Sequence, residues 1–378
     1  MAEDLQTSLA NWLAIHRAPG VGATTFLNLL SLYEHPDQIL ELNQSQLKEC
    51  GLRSNSIEAI KAPDWNQIEK DCLWLEQNQA SVLTILDADY PKLLKEIADP
   101  PPLLFVLGNK TLLNTEQLAI VGSRTPTPMG EQSAEDFSKN LAEVGWTVTS
   151  GLALGVDAAC HRGAINAENG STIAVIGTGI DRVYPARNRD LAHQIVQTGA
   201  IVSEFPLGSA PIPGNFPRRN RIISGMSRGV LVVEAALKSG SLITAKQALE
   251  QGREVFAMPG SIHNPLSRGC HWLIREGAKL VETAEHIIEE LIEILPQAPH
   301  IKELNNDAES IVTDNSSDGL DADYQIVLEH VGFEATGVDS IVQRSGLTAD
   351  AVCSMLLVLE LQGYIASTHG GHYCKISS

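Results

Sequence analysis

The strongest constraint on the fold is an alternation that runs from residue 118 to residue 258. Short apolar, β-branched runs stand at 118–121, 147–150, 172–176, 201–203, 230–233 and 254–258. Between them the spacing predicts helices near 129–144, 155–168, 188–198, 217–226 and 241–251. In the first helix Ala134, Phe137, Leu141 and Val144 share one face, and Gly145 stops it. Strands this apolar must be covered on both faces, and strand–helix alternation makes the sheet parallel. The expected class is α/β, with a Rossmann-like parallel sheet core. Ligands on such sheets bind at the carboxyl ends of the strands.

The flanking segments have a different character. Residues 1–75 read as short helices. Ala18-Pro19-Gly20-Val21-Gly22 sits between two of them, with a weaker echo at Cys50-Gly51-Leu52-Arg53. This is a helix-hairpin-helix (SAM-like) pattern, whose glycines let backbone N–H groups approach a phosphate. The alternative is a helical bundle in which the glycine turn only closes two helices. Arg17 and Arg53 are the bases near the turns. Residues 80–292 form the Rossmann-like unit, which opens with short strands near 82–86 and 103–108 around the rigid Asp99-Pro100-Pro101-Pro102 turn. Residues 293–320, rich in Pro, Asn, Ser and Asp, read as a linker. Residues 321–378 read as a winged helix: helices over 339–345 and 348–361, then a hairpin across Gly370-Gly371.

Charge narrows the function. A net charge of −19 excludes a nonspecific polycation, but local positive charge still permits nucleic-acid binding. From 205 to 233 the chain carries Arg218, Arg219, Arg221 and Arg228 and no acid. The six cysteines form no CxxC pair and read as reduced thiols. Cys270-His271 near His263 reads as packing, so no metal and no cofactor are expected. The N-terminus has Glu3 and Asp4 and no apolar leader core, and no apolar run approaches the ~20 residues of a membrane span. The expected location is the cytoplasm.

The candidate chemistry lies where strands end. Gly122-Ser123-Arg124 follows one strand and opens a helix: a tight turn, a hydroxyl and a guanidinium fork for a phosphate. It is neither a GxGxxG fingerprint nor a Walker loop. Gly151 to Gly155, Gly177-Thr178-Gly179, and Ser239-Gly240-Ser241 with Thr244 add small-residue loops at the same sheet edge. Asp157 reads as a sugar contact or a helix cap. Phe216, beside Pro217 and the run Arg218-Arg219-Asn220-Arg221, reads as a stacking platform in a cationic groove, or as core. Helical geometry lets at most two of those three arginines reach one ligand.

These blocks, with Phe216-Pro217-Arg218-Arg219-Asn220-Arg221-Ile222-Ile223-Ser224-Gly225 and Gly269-Cys270-His271-Trp272-Leu273-Ile274, are collinear from about residue 80 to 290 with the motifs of a known series. The chain resembles the DprA/Smf family of DNA-processing proteins of natural transformation. The resemblance implies a nonenzymatic single-stranded-DNA-binding protein that dimerises, protects incoming strands and loads RecA against single-strand-binding protein. It places the DNA pocket at Arg124, Phe216 and the arginines that follow. It places the self-association surface in 269–280, with His271, Ile274 and Leu280. Some members carry a lysine three residues before the stacking aromatic, where this chain has Pro213.

Two other readings compete. One is an enzyme acting on a nucleotide monophosphate, for which Glu234 is the nearby candidate base. The other is a sequence-specific repressor that uses the winged helix. Between Asp321 and Lys375, however, there are seven acids against Arg344 and Lys375, and the candidate recognition helix 349–361 holds Asp350, Glu360 and no base. A phosphate-facing helix should not be net negative. A protein-interaction or regulatory role is the expectation for this module.

Overall fold

The computed structural model describes residues 2–294, 321–333, 335–368 and 370–376, without the side chains of 2–7, 293, 294 and 322. The expected linker falls outside the described residues from 295 onward.

Six helices open the chain: α1 (Ala2–His16), α2 (Ala23–Tyr33), α3 (Pro36–Glu41), α4 (Gln44–Glu49), α5 (Ser54–Lys61) and α6 (Trp65–Gln77). The turn between α1 and α2 needs Gly20 at φ +79°, and Ser56 Oγ on α5 closes it by donating to the Pro19 carbonyl at 2.7 Å. Trp12, Phe26 and Leu47 pack these helices into an apolar cluster continuous with Leu83 and Leu103 of the next unit.

That unit runs β1 (Ser81–Thr84), α7 (Lys92–Lys95), β2 (Leu103–Gly108), β3 (Gln117–Val121), α8 (Pro128–Glu143), β4 (Thr147–Ser150), α9 (Val156–Asn166) and β5 (Thr172–Val175). It continues through α10 (Arg189–Thr198), β6 (Ala200–Ser203), α11 (Asn215–Met226), β7 (Gly229–Val232), α12 (Gly240–Glu250), β8 (Glu254–Ala257), α13 (Arg268–Arg275), β9 (Lys279–Leu280) and α14 (Ala284–Ile294). The nine strands form one sheet in the order β1-β2-β6-β5-β4-β3-β7-β8-β9. From β6 to β9 all pairings are parallel, whereas β1–β2 and β2–β6 are antiparallel. The order reverses at β3 and β7, where Val121 pairs with Val232, and a crevice opens beyond their carboxyl ends.

The pleat explains the apolar strands. Leu118 and Ile120 face α8, α9 and α14 in a cluster with Phe137, Leu141 and Ile287. Ala119 and Val121 face the other way, into the cluster with Ile222 and Leu242. With both faces buried, no position of the central strands β3, β4, β5, β6 and β7 is open to solvent, whereas the edge strand β9 is exposed.

The C-terminal module contains α15 (Ala322–His330), β10 (Thr336–Gly337), α16 (Val338–Ser345), α17 (Ala349–Leu361), β11 (Ile365–Thr368) and β12 (His372–Lys375). Its sheet order is β10-β12-β11, and Val327, Ile341, Val352, Leu356 and Leu359 form its core. This is the expected winged helix. The exposed side of α17 carries Leu357 and Leu361 rather than bases. No single helix among the described residues is long and apolar enough to cross a membrane.

Candidate nucleic-acid interface

Phe216 lies in the first turn of α11, and its ring rests flat against the backbone after β5. A Cβ at Gly177 would stand 3.0 Å from Phe216 Cδ1, so any larger residue there would press on the ring. Tyr184 packs on one side with ring centroids 5.6 Å apart. The Arg124 guanidinium lies over the ring, 5.9 Å from its centroid. These three residues share a cleft of about 560 Å³ with Gly122, Asp157, Asn220, Ser239, Gly240, Ser241 and Thr244.

The loops around the cleft are shaped by close backbone approach. Gly155 adopts φ +76°, and a Cβ there would meet the Ser123 carbonyl at 2.4 Å. Ser123 is buried, and its Oγ accepts from the Thr125 amide at 3.1 Å. Gly179 donates its amide to the Ser209 carbonyl at 3.1 Å. These residues build the wall without lining it. Ser239 caps α12, with its Oγ 3.3 Å from the Ser241 amide, and Gly240 faces open space. Asp157 sits in the first turn of α9 and accepts from the Ala153 amide at 3.3 Å. Its carboxyl is pushed up by burial, against the opposing effect of Arg219. Asp157 therefore holds its loop while also facing the cleft.

The arginines divide by partner. Arg219 is 4% exposed, and its Nη1 donates to the carbonyls of Gly151, at 2.6 Å, and Val175. It seams the ends of β4 and β5 beneath the cleft. A Cβ at Gly151 would stand 2.5 Å from that nitrogen. Burial lowers Arg219 to about 10, a shift that Asp157 opposes, so it stays charged at neutral pH. Arg218 and Arg221 point away from the cleft and converge on Glu204 Oε2 at 3.0 and 2.6 Å. Arg221 also holds Asp99 at 2.9 Å. Of the run read as a cationic groove, then, Arg219 and Asn220 line the cleft, and Arg218 and Arg221 pair with a buried acid at the edge of the acid-free stretch.

These features coincide with a match to the family model for DNA recombination-mediator protein A over residues 81–292, and to the DprA winged helix domain over 313–371. The chain belongs to the DprA/Smf family. It is 44% identical over 330 residues to Protein Smf of Escherichia coli, covering 86% of each. It is 47% identical over 253 residues to the DNA processing protein DprA of Bacillus subtilis, covering 67% of this chain and 83% of that one. The crystal structure of DprA from Streptococcus pneumoniae superposes with a TM-score of 0.67 at 40% identity, covering 74% of this chain and 97% of that one. A DprA structure from Helicobacter pylori, titled for its single-stranded DNA binding mode, gives a TM-score of 0.52 at 32% identity over 57% and 97%.

Within the family frame, the other expected residues can be located. His271, Ile274 and Leu280 line a shallow depression with Leu237, Arg268 and Arg275, beside the edge strand β9. Leu237 and Leu280 are about half exposed. Glu234 faces a separate cleft, where its carboxylate accepts from the Thr127 amide at 2.9 Å and the Thr127 hydroxyl at 2.7 Å. It fixes the start of α8 and does not look into the cleft of Phe216. Tyr184, Pro211 and Ile243 line that cleft without having been anticipated. An aromatic–proline pair in a loop after a strand, Tyr184-Pro185, was the available signal. Arg182 and Arg187 are exposed in the same connection, and Arg189 is exposed at the start of α10.

Proposed function

We propose that the protein is a single-stranded-DNA-binding recombination mediator that protects incoming strands and loads RecA during natural transformation, acting in the cytoplasm as a homodimer. One observation carries the reading: Phe216 is held against Gly177 beside Tyr184 and Arg124, in a cleft lined by Gly122, Gly240 and the hydroxyl residues Ser239, Ser241 and Thr244. An unpaired base stacks on an aromatic in a sequence-tolerant way, and the adjacent guanidinium takes its phosphate. A duplex keeps its bases inside and cannot use the ring. The relative from Helicobacter pylori is described as a single-stranded DNA binder, which supports the same ligand here. The contact set we propose is Arg124, Phe216, Asn220 and the loops of Gly122, Ser239-Gly240-Ser241 and Thr244, joined by Tyr184. Ser123, Gly151, Gly155, Gly177, Gly179 and Arg219 shape it, and Arg218 and Arg221 brace α11. The depression at His271, Ile274 and Leu280 is the proposed dimer surface. RecA and single-strand-binding protein are the expected protein partners.

The test compares a ~30-nucleotide single strand with the matching duplex. Wild type should prefer the single strand, and Arg124→Ala should bind it about 10-fold more weakly while the slope of log affinity against log salt falls by about one. Equal binding of strand and duplex, or of wild type and variant, would refute the site. Turnover of nucleotide monophosphates that disappears in Glu234→Gln would restore the enzyme reading, which Glu234's engagement with Thr127 disfavours.

The winged helix is proposed to bind protein rather than DNA, because α17 offers Leu357 and Leu361 where a DNA reader needs bases. Removing residues 321–378 should leave the salt slope of single-strand binding within about one unit of wild type. A larger fall would return the module to the DNA.

A further inference from the structure

We infer that the N-terminal helices set the shape of the DNA cleft through Arg17 and His16, acting as positioning residues that grip the β6–α11 connection without touching DNA. The inference rests on the proposal that this cleft binds single-stranded DNA.

The connection, residues 204–214, supplies Pro211 and Pro213 to the cleft wall and delivers Phe216 at the start of α11. It is poorly held by its own chemistry. Pro206, Pro211 and Pro213 have no amide to donate, and residues 208, 210, 212, 213 and 214 are exposed. Gly208 and Ser209 meet Asp181 and Gly179 of the loop after β5 at 2.9 and 3.1 Å, and the start of the connection is held from α1 and the turn after it. His16 Nε2 lies 3.0 Å from the Glu204 carbonyl, while the ring packs on Phe105 at 5.8 Å. A carbonyl only accepts, so Nε2 carries the proton. Arg17 Nη1 donates to the Leu207 carbonyl at 3.3 Å and to Asp71 Oδ2 at 2.6 Å. Asp71 is 2% exposed and is itself fixed by Gln67 Nε2 at 2.9 Å. The same Glu204 whose backbone meets His16 gives its carboxylate to Arg218 and Arg221 of α11. The neighbouring residues His16 and Arg17 thus hold the connection at two points, Glu204 and Leu207, with Arg17 backed by Asp71 of α6 and Glu204 tied to the helix that carries Phe216.

This assignment differs from the role expected of Arg17 in a helix-hairpin-helix, where it would meet a phosphate directly. The two roles predict opposite behaviour when Asp71 is neutralised. If Arg17 positions the connection, freeing it from Asp71 weakens binding. If Arg17 is a phosphate ligand, freeing it adds a cation and strengthens binding.

The experiment measures single-strand affinity of the full chain across a salt series, with hydrogen exchange over residues 206–214 in the DNA-free protein. Arg17→Ala and the isosteric Asp71→Asn should each weaken binding about 2- to 30-fold, the range of positioning effects through contact networks. Salt slopes should match wild type, because no phosphate contact is lost, and exchange over 206–214 should quicken. Arg17→Lys, which keeps one donor and the charge, should recover part of the loss. Should Arg17→Ala fail to fold, Asp71→Asn and Arg17→Lys carry the same comparison. Unchanged affinity in Asp71→Asn, tighter binding in it, or a slope lowered by Arg17→Ala would each overturn the inference. Arg124→Ala in parallel separates this failure from failure of the cleft itself.

Discussion

Glu204→Gln should lower the stability of the folded core by about 3–5 kcal/mol, the cost of removing one partner from a buried ion pair. Glu204 is 2% exposed, and both of its arginine contacts fall on the same oxygen. Without the carboxylate, the buried Arg221 guanidinium keeps only Asp99, whose side chain is 47% exposed and well screened. The outcome is a buried cation left with one solvent-screened partner, where α11 meets β6. Arg218→Ala, by contrast, should cost about 1 kcal/mol or less, since that side chain is 44% exposed. Replacing both members of the buried pair, as Glu204→Leu with Arg221→Met, should recover much of the loss by exchanging charge for packing. Urea midpoints of the four proteins measure all of this. A Glu204→Gln midpoint equal to wild type would show that the pair is not what braces α11.

Phe216→Ala should weaken single-strand binding by about 5- to 150-fold, the equivalent of the ~1–3 kcal/mol that base–aromatic stacking contributes. The salt slope should stay at its wild-type value, because stacking releases no counterions. This separates it from Arg124→Ala, for which affinity and slope fall together. Phe216→Tyr should bind close to wild type, since the ring borders an open cleft of about 560 Å³. Tyr184→Ala should cost less than Phe216→Ala, because Tyr184 is 46% exposed and offers only one side to a base. Anisotropy with a labelled strand at several salt concentrations reads each value. Loss of slope in Phe216→Ala, or equal affinity of Phe216→Ala and wild type, would remove the ring from the binding site.

Much of this protein is legible in its sequence because the relevant physics is local. The six strands and five helices between residues 118 and 258 appear within a few residues of where periodicity puts them, since each element must bury its own apolar set. The site was legible in part. Gly155 and Gly177 stand out as small residues after strands; Gly155 meets the Ser123 carbonyl, and Gly177 the ring of Phe216. Tyr184 was not read as part of the site, because nothing near it in the chain points to Phe216. Glu234 was a plausible base by its place after a strand, and only its contacts with Thr127 give it a structural task.

The arginine run shows most clearly where sequence stops. Four arginines and no acid between 205 and 233 describe a cationic segment, and along the chain that is correct. In space, Glu204 turns inward and takes two of them, while Arg219 spends its donors on the carbonyls of Gly151 and Val175. The exposed guanidinium over the ring is Arg124, from a different strand end. Sequence by itself determined the mostly parallel sheet covered by helices and the winged helix, because hydrophobic periodicity adds up along the chain. The tertiary structure alone decided which charges are free, because a salt bridge depends on a separation of about 3 Å between groups that the chain brings together only by folding.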